Sequence, residues 1–438
     1  MKPLGWLGIL RLGLVQTALG GIVVLTTSTI NRIMVVELSL AAMIPGALVV
    51  MYHAFQMLRP RWGFGADQAR RRTPWIIGGM VVLAAGGLGA AISVAWMETN
   101  LTAGLIAATA SFMLIGLGIG AAATNLLTLL AIRVAPARKP AAASIVWIMM
   151  IAGLAITGIA AGQALDPYSA ERLVAVSGIV SVAAVLVTIV ALWRIEGKPE
   201  LAPRPTGPKA DFLEALSEVW ADAPARNFAI FVFAAMLAYN TQDLILEPFA
   251  GHVFGMTPGE STALAGTQHS GALIGMILVA ILGTAVGGPV FGSMRRWTVW
   301  GCVASGAALM VLGFGGMTGP DWPLQANVFA LGFFNGVFAV AAIGSMMGLA
   351  SKDSSGGNSD QAGIRMGVFG AAQSVGFATG GFLGTAAVDF MRLTTDRLEL
   401  AYGTVFIAEG VVFLIAALLA LRAVTNLAPR TTVAVPGE

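Results

Sequence analysis

The sequence predicts an all-α membrane protein with twelve transmembrane helices. Of its 438 residues, 57% are hydrophobic and 11% are charged, whereas a soluble domain carries about 25% charged residues. The charges lie in short clusters between apolar stretches of about 20 residues, the length at which a helix crosses a bilayer. No region shows the short alternating segments of a membrane β-barrel. The pattern therefore favours a helical bundle.

Twelve apolar stretches follow one another along the chain. The first six are Leu10–Val36, Ala41–Leu58, Thr73–Trp96, Ala103–Val134, Ala142–Ala164 and Leu173–Trp193. The last six are Asn227–Phe249, Ser261–Val286, Trp297–Phe314, Leu324–Ala350, Ile364–Val388 and Ala401–Val424. The 55 glycines would let such helices pack closely. The single Cys302 excludes an intramolecular disulfide and a cysteine metal cluster.

A polar stretch, Arg194–Arg226, separates the sixth span from the seventh and is rich in proline and charge. We therefore predict three parts: a six-helix bundle over 1–193, a cytoplasmic linker over 194–226 and a second six-helix bundle over 227–438. Within the linker, Asp211–Ala221 carries apolar side chains at helical spacing, which indicates an amphipathic helix. That helix would lie either on the membrane surface or in solvent, and both alternatives stay open.

The basic residues predict the topology. With both termini in the cytoplasm, 21 of the 25 Lys and Arg residues fall on the cytoplasmic side. The remaining four are Arg32, Arg172, Arg392 and Arg397. Cytoplasmic loops of membrane proteins carry such an excess. Topology therefore accounts for the net charge of +3, and no nucleic-acid partner is indicated.

The loop between the second and third spans, Arg59–Trp75, holds five arginines and one aspartate. It resembles the Gly-x-x-x-Asp-Arg-x-Gly-Arg-Arg signature of the major facilitator superfamily at Gly63, Asp67, Arg71 and Arg72. Gln68 and Arg70 depart from that signature. The resemblance implies that superfamily's fold of two six-helix bundles. It also implies that Asp67 caps the start of span eleven near Gly363–Met366 and pairs with a loop arginine.

Charged residues inside the spans are the best functional candidates, because each costs about 2.5–3.5 kcal/mol at a helix centre. Arg32 and Glu37 lie at the end of span one, Asp243 and Glu247 lie on one face of span seven, and Glu409 lies in span twelve. One hypothesis is a polar site or gate between the bundles at the extracytoplasmic end. The alternative is that Arg32 pairs with Asp243 or Glu247 only to hold the bundles together. Pro248 is expected to end or kink span seven and to expose carbonyls that a neighbouring donor could satisfy.

Three histidines, His53, His252 and His269, are also candidates, the first and last of them inside predicted spans. A neutral imidazole ligates metals, including the magnesium of a chlorophyll ring, but a lone histidine in an apolar helix is more often hydrogen-bonded to a neighbour. No nucleophile elbow, phosphate-binding loop or metal-ligand spacing is found. We therefore expect no enzymatic activity.

Several longer segments together resemble the PucC/LhaA family of purple phototrophic bacteria, sometimes called the bacteriochlorophyll delivery family. The resemblance covers essentially the whole chain. Its motifs are Arg11–Gln16, Thr27–Leu38, Arg71–Ile76, Gln242–Gly251, Val253–Met256 and Arg365–Gln373.

This resemblance implies a multi-pass protein of the photosynthetic inner membrane that assembles light-harvesting antennae. The implied cofactor, bound or delivered, is bacteriochlorophyll, with pigment contacts expected from His53, His269, Asn31 and Gln242. The implied partners are antenna polypeptides, bacteriochlorophyll synthase, the reaction-centre core and membrane lipid. A competing hypothesis is a secondary transporter of a small solute, proton-coupled through Asp243, Glu247 or Glu409. Several spans contain almost no polar residue, which disfavours a polar solute.

Overall fold

The computed structural model describes residues 4–56, 71–135, 138–196, 220–282, 293–319, 321–352 and 360–425. These residues form twelve helices and no strand, as the sequence predicts. Ten of the helices are long and apolar enough to cross a membrane. The helices are α1 (Trp6–Glu37), α2 (Met43–Gln56), α3 (Thr73–Met97), α4 (Leu101–Arg133), α5 (Lys139–Leu165), α6 (Ala170–Leu192), α7 (Ala223–Phe254), α8 (Pro258–Leu282), α9 (Met294–Thr318), α10 (Leu324–Lys352), α11 (Asp360–Thr394) and α12 (Leu398–Thr425).

The first helix changes its winding near its end. It is α-helical over Trp6–Val24, π-helical over Leu25–Thr29, α-helical for one short turn and π-helical again over Ile33–Glu37. A π-turn bonds residues five apart instead of four, and such turns often occur at functional sites. Here the second π-turn brings side chains five residues apart to the same face of α1.

The seventh helix is longer than the sequence predicts. We expected it to end near Phe249, but it continues through Pro248 to Phe254. Gly255, with a φ of 67°, ends it in the left-handed conformation that glycine adopts without a Cβ clash. Pro248 lies inside this helix and has no N–H to donate to the carbonyl of Leu244.

The helices pack in two equivalent sets. In the first set, α1 contacts α5 and α6, α3 contacts α4 and α6, and α2 contacts α4. In the second set, α7 contacts α11 and α12, α9 contacts α10 and α12, and α8 contacts α10. Adding six to each helix number converts one set into the other. We refer to α1–α6 as the first bundle and to α7–α12 as the second bundle.

Two helix pairs make the most extensive contacts between the bundles, α2 with α11 and α5 with α8, and the end of α1 also contacts α7 and α8. Both pairs approach most closely where glycines lie: Gly46 of α2 faces Thr385 of α11, and Gly158 of α5 faces Gly266 of α8. These residues lie towards the end of the bundles that carries the α1–α2, α5–α6, α7–α8 and α11–α12 connections. We call this the closed end, and the opposite end, with the arginine-rich α2–α3 connection, the basic end.

Some sequence predictions fall on residues that the structure does not describe. Gly63 and Asp67 lie in 57–70, and most of the linker lies in 197–219. The cap by Asp67 and the amphipathic linker helix therefore stay predictions, as do the boundaries of the three parts. Arg71 is exposed, whereas Arg72 is buried and donates from Nη1 to Asn125 Oδ1 of α4 at 3.1 Å.

A candidate functional site where the bundles meet

The buried arginine of α1 is held by its own helix. Arg32 is 2% exposed, and its Nη1 donates to Glu37 Oε1, five residues on. The π-turn over Ile33–Glu37 aligns the two side chains. Arg32 Nη2 donates to the backbone carbonyl of Met256, just beyond α7, at 2.6 Å. A Cβ on Gly251 would lie 3.0 Å from that nitrogen, so the glycine permits the close approach. The guanidinium thus links α1 to the second bundle.

The expected ion pair between Arg32 and Asp243 is wrong. Asp243 Oδ1 instead accepts a hydrogen bond from Gln268 Nε2 of α8 at 3.3 Å. The π-turn directs the guanidinium towards Glu37 and the end of α7, more than two turns beyond Asp243. Glu247 lies within electrostatic range of Arg32, but the donors to its Oε2 are hydroxyl groups of α8, Ser261 at 3.3 Å and Thr262 at 3.5 Å.

An amide of α1 satisfies the carbonyl that Pro248 leaves free. Proline has no N–H, so the carbonyl of Leu244, four residues earlier, has no partner within α7. Asn31 Nδ2 donates to that carbonyl at 2.5 Å. Asn31 is 1% exposed, and its Oδ1 has no partner among the described residues. The bond across the bundles therefore replaces a bond that the helix cannot make itself.

Further hydrogen bonds between the bundles lie at the closed end. Thr29 Oγ1 is 2.9 Å from Thr262 Oγ1, and Thr257 Oγ1 donates to Asp166 Oδ1 at 2.8 Å. Asp389 of α11 accepts from the first N–H groups of α2, those of Ala42 at 3.0 Å and Met43 at 2.7 Å. A carboxylate there is favoured by the positive end of the helix. The hydrogen bonds between the bundles that involve Thr29, Asn31, Arg32, Asp166 and Asp389 all lie at this end.

Sequence reasoning missed Asp166 and Asp389, because each looks like an ordinary loop acid at a span end. One signal for Asp389 was available: it lies near the end of span eleven, which in a two-bundle fold packs against span two.

The α5–α6 connection also covers this region. Burial raises the pKa of Tyr168 in that connection to about 12, with smaller contributions from the Glu98 and Glu37 carboxylates.

The second bundle has polar groups in its interior without partners. Gln242 and Asn335 are at most 1% exposed, and neither amide has a hydrogen-bond partner among the described residues. Glu409 of α12 is 5% exposed, and both of its oxygens are also without a partner there. Glu409 is close enough to Asp243 for the two carboxyl groups to interact electrostatically. Unpaired polar groups in a dry interior are costly, so this region is the best candidate for a proton or ligand site.

The histidines lie in three different environments. His53 contacts the rings of Tyr52 and of Phe377 on α11, and its Nδ1 is 3.4 Å from Gln56 Nε2. His252 Nδ1 is 2.9 Å from the hydroxyl of Tyr402.

His269 is 8% exposed, and its ring interacts with the backbone of Ala265, one turn earlier on α8. It has no other hydrogen-bond partner among the described residues. His269 lies one turn after Gly266, the residue of α8 that faces Gly158 of α5. The structure does not bring it together with His53, which lies at the α2–α11 contact.

A family model described as PUCC protein matches residues 29–427. The chain is also 47% identical, over 95% of both chains, to the bacteriochlorophyll synthase 44.5 kDa chain of Rhodobacter capsulatus. The chain belongs to the PUCC family. Other members include Protein PucC of Cereibacter sphaeroides, which is 27% identical over 91% of this chain and 87% of that protein. The family resemblance inferred from the motifs is confirmed.

The solved structures that the fold resembles are transporters of the expected superfamily type. A crystal structure of the peptide transporter POT with sulfate superposes with a TM-score of 0.69, covering 98% of this chain and 97% of that one at 15% identity. A bacterial homologue of the lysosomal transporter Spinster, in an inward-facing conformation, gives a TM-score of 0.65, with 96% and 97% covered at 14% identity. At these identities the likeness establishes the fold alone, a multi-pass helical membrane protein.

Proposed function

We propose that this protein assembles light-harvesting antennae by holding bacteriochlorophyll and delivering it to antenna polypeptides in the bacterial photosynthetic membrane. Membership of the PUCC family over nearly the whole chain carries this proposal. The name of the Rhodobacter capsulatus relative supports a link to bacteriochlorophyll. The chain itself catalyses no step in this proposal, so the word synthase in that name describes a context of pigment synthesis.

His269 is the residue that best fits a pigment ligand. A metal-binding histidine commonly has one ring nitrogen held by a backbone carbonyl or carboxylate, which leaves the other for the metal. The backbone of Ala265, one turn earlier on α8, is near enough to hold one ring nitrogen, and the described residues offer His269 no other hydrogen-bond partner. A bound bacteriochlorophyll would supply a magnesium ion that the free ring nitrogen of His269 could ligate. His53 fits this role less well because rings and an amide already surround it.

The α5–α8 contact would control access to His269. Its glycines let the two backbones touch at the closed end, and His269 lies one turn further from that end. At 8% exposure the imidazole has no room for a macrocycle in the closed contact. In this proposal, separation of α5 from α8 admits the pigment from the lipid side. Asn31 and Gln242 then serve as additional polar contacts near the join.

Pigment that remains bound during purification tests the site. The protein is produced in a host that makes bacteriochlorophyll and purified in mild detergent, and pigment per protein is measured by near-infrared absorbance. We expect His269→Ala to lose most of the pigment, and His53→Ala, the matched control, to keep it. Equal pigment in the wild type and in His269→Ala would show that His269 is not the ligand. Loss of pigment in His53→Ala alone would make His53 the ligand instead.

Deletion of the gene tests the function itself. We expect the deletion strain to contain less assembled antenna, measured by its absorbance in membranes, while antenna polypeptide is still synthesised. Complementation with the wild-type gene should restore the absorbance, and complementation with His269→Ala should restore less of it. Normal antenna absorbance in the deletion strain, with no second family member in the genome, would contradict the proposal.

A second candidate function is proton-coupled transport of a small solute. The carboxyl groups of Asp243 and Glu409 favour it, because ionisable residues inside spans often carry protons and neither has a cationic partner among the described residues. Proteoliposomes containing a pH-sensitive dye test it. Solute-dependent proton uptake that disappears in Asp243→Asn and Glu409→Gln would establish transport.

A further inference from the structure

An outward-facing groove of about 580 Å³ lies between α1 and α6 at the basic end. Arg11, Arg194 and Trp193 line it together with Ile189 and Val190. No acidic side chain of the described residues is among them. Arg11 Nη2 donates to the carbonyl of Trp193 at 2.5 Å and so caps the end of α6. The other guanidinium nitrogens of Arg11 are available to the groove.

Arg194 has an unfavourable backbone conformation for an arginine. Its φ of 55° lies in the left-handed region just after α6. Glycine, or less often asparagine, is the usual residue at this position of a helix end, because a Cβ clashes there. Arg194 is exposed and makes no hydrogen bond or ion pair within the described residues. The excess of basic residues at this end favours an arginine or lysine in this connection, but it does not account for one at a left-handed position, so we look to a ligand of the side chain.

Exposed apolar side chains extend from the two guanidinium groups along both helices. On α1 they are Leu7 and Leu14, and on α6 they are Leu186 and Val190. Leu7 and Leu14 lie one turn before and one turn after Arg11 on α1, and Leu186 and Val190 lie one turn apart on α6. Trp193 is 64% exposed at the same level as the arginines, the position at which tryptophans occupy membrane interfaces. A ligand of this surface would therefore have an anionic head and an apolar chain.

We propose that this groove binds an anionic phospholipid, with Arg11 and Arg194 on the headgroup phosphate and an acyl chain between the two apolar stripes. Guanidinium groups bind phosphate oxygens through paired N–H donors. The positive charge selects a lipid with a net negative head over a zwitterionic one. This inference does not depend on the proposed function, because the groove is remote from His269 and from the closed end.

Native mass spectrometry of delipidated protein tests the site. Dioleoyl phosphatidylglycerol and dioleoyl phosphatidylcholine are titrated separately into the wild type, Arg194→Gly, Arg194→Asn and Arg194→Lys. We expect Arg194→Gly and Arg194→Asn to bind phosphatidylglycerol about five-fold more weakly, and Arg194→Lys to keep most of the affinity. Because both replacements suit a left-handed backbone, their melting temperatures without lipid should not fall below that of the wild type.

Arg295→Gln is the control for a general loss of positive charge, because Arg295, like Arg11, donates to a carbonyl near a helix end, that of Leu421 at 3.3 Å, but lies in the second bundle. We expect it to keep the affinity of the wild type. An equal loss in Arg295→Gln would show diffuse attraction to a basic surface and would overturn the site. Equal binding of phosphatidylcholine, full binding by Arg194→Gly, or displacement of the lipid by inorganic phosphate alone would overturn it as well.

Discussion

The two equivalent helices α1 and α7 carry opposite charges where the bundles meet. These charges are stabilised in different ways. The charge of α1 is the buried Arg32, paired with Glu37 of the same helix through a π-turn. The charges of α7 are Asp243 and Glu247, and their hydrogen-bond donors are an amide and two hydroxyl groups of α8. The charged group of α1 thus has an oppositely charged partner on its own helix, whereas the carboxyl groups of α7 accept hydrogen bonds from neutral groups of α8.

This difference shows how the bundles are joined. A direct ion pair between α1 and α7 would have to break completely whenever the bundles move apart, and separating buried charges is costly. Neutral hydrogen bonds such as Asn31 to Leu244 and Thr29 to Thr262 cost less to break in a membrane. The closed end is therefore held by hydrogen bonds, some of them to the charged Arg32, Asp166 and Asp389, and no ion pair of Arg32 with α7 would have to break if the bundles separated as in the proposed function. The following predictions test this comparison.

Glu37→Gln should cause the largest loss, about 2–3 kcal/mol in the free energy of unfolding, because the buried guanidinium loses its carboxylate; Glu37 itself is 37% exposed, which keeps the loss below that of a fully buried pair. Chemical unfolding in detergent micelles measures it. Adding Arg32→Met should recover part of the loss, whereas Arg32→Met and Asp243→Asn should be additive. If Asp243→Asn proved as costly as Glu37→Gln, Asp243 would have to be a partner of the guanidinium.

Gly266→Ala should cost about 1–3 kcal/mol by overpacking the α5–α8 contact. The new methyl group would lie 2.6 Å from the backbone nitrogen of Ile159, which cannot move as a side chain could. Gly78→Ala is the matched control, because a Cβ there has no neighbour within 4 Å. Unfolding of both variants in detergent gives the comparison, and similar stabilities would mean that α5 and α8 do not touch at this point.

Asn31→Ala should cost about 0.6–1.7 kcal/mol, the usual range for a hydrogen bond between membrane helices. The loss should shrink in a Pro248→Ala background, because the restored N–H of residue 248 can then satisfy the carbonyl of Leu244. Asn240→Ala removes a comparable bond, from Nδ2 to the carbonyl of Phe377 at 2.6 Å, but within the second bundle. Its loss should be independent of Pro248, and any dependence would argue against the proposed exchange of partners.

Glu409→Gln should have the smallest effect, a change below about 1 kcal/mol, because neither carboxyl oxygen has a partner among the described residues. A neutral amide also avoids the cost of a buried charge. The identical substitution at Glu37 is the matched comparison in the same unfolding assay. A large loss in Glu409→Gln would reveal a partner for this carboxyl group and would remove the contrast between the paired Glu37 and the unpaired Glu409.

Much of the fold could be predicted from the sequence, because hydrophobic length and charge position act locally. Twelve apolar stretches of membrane-spanning length became twelve helices, and the motifs identified the family. The prediction that Pro248 frees a carbonyl for a neighbouring donor is confirmed by Asn31. It succeeded because the missing N–H of proline is a property of the residue itself and not of its surroundings.

The partners of the charged residues could not be predicted. Arg32 and Asp243 occupy corresponding places in two related helices, which suggested that they face each other. Only the tertiary structure includes the π-turn that directs Arg32 to Glu37 and the α8 register that places Gln268 beside Asp243. A guanidinium reaches several ångströms, so one turn of helix phase decides which carboxylate it meets. The sequence by itself determined which buried polar residues need a hydrogen-bond or ion-pair partner. The phase and packing of the helices decided which residues those partners are.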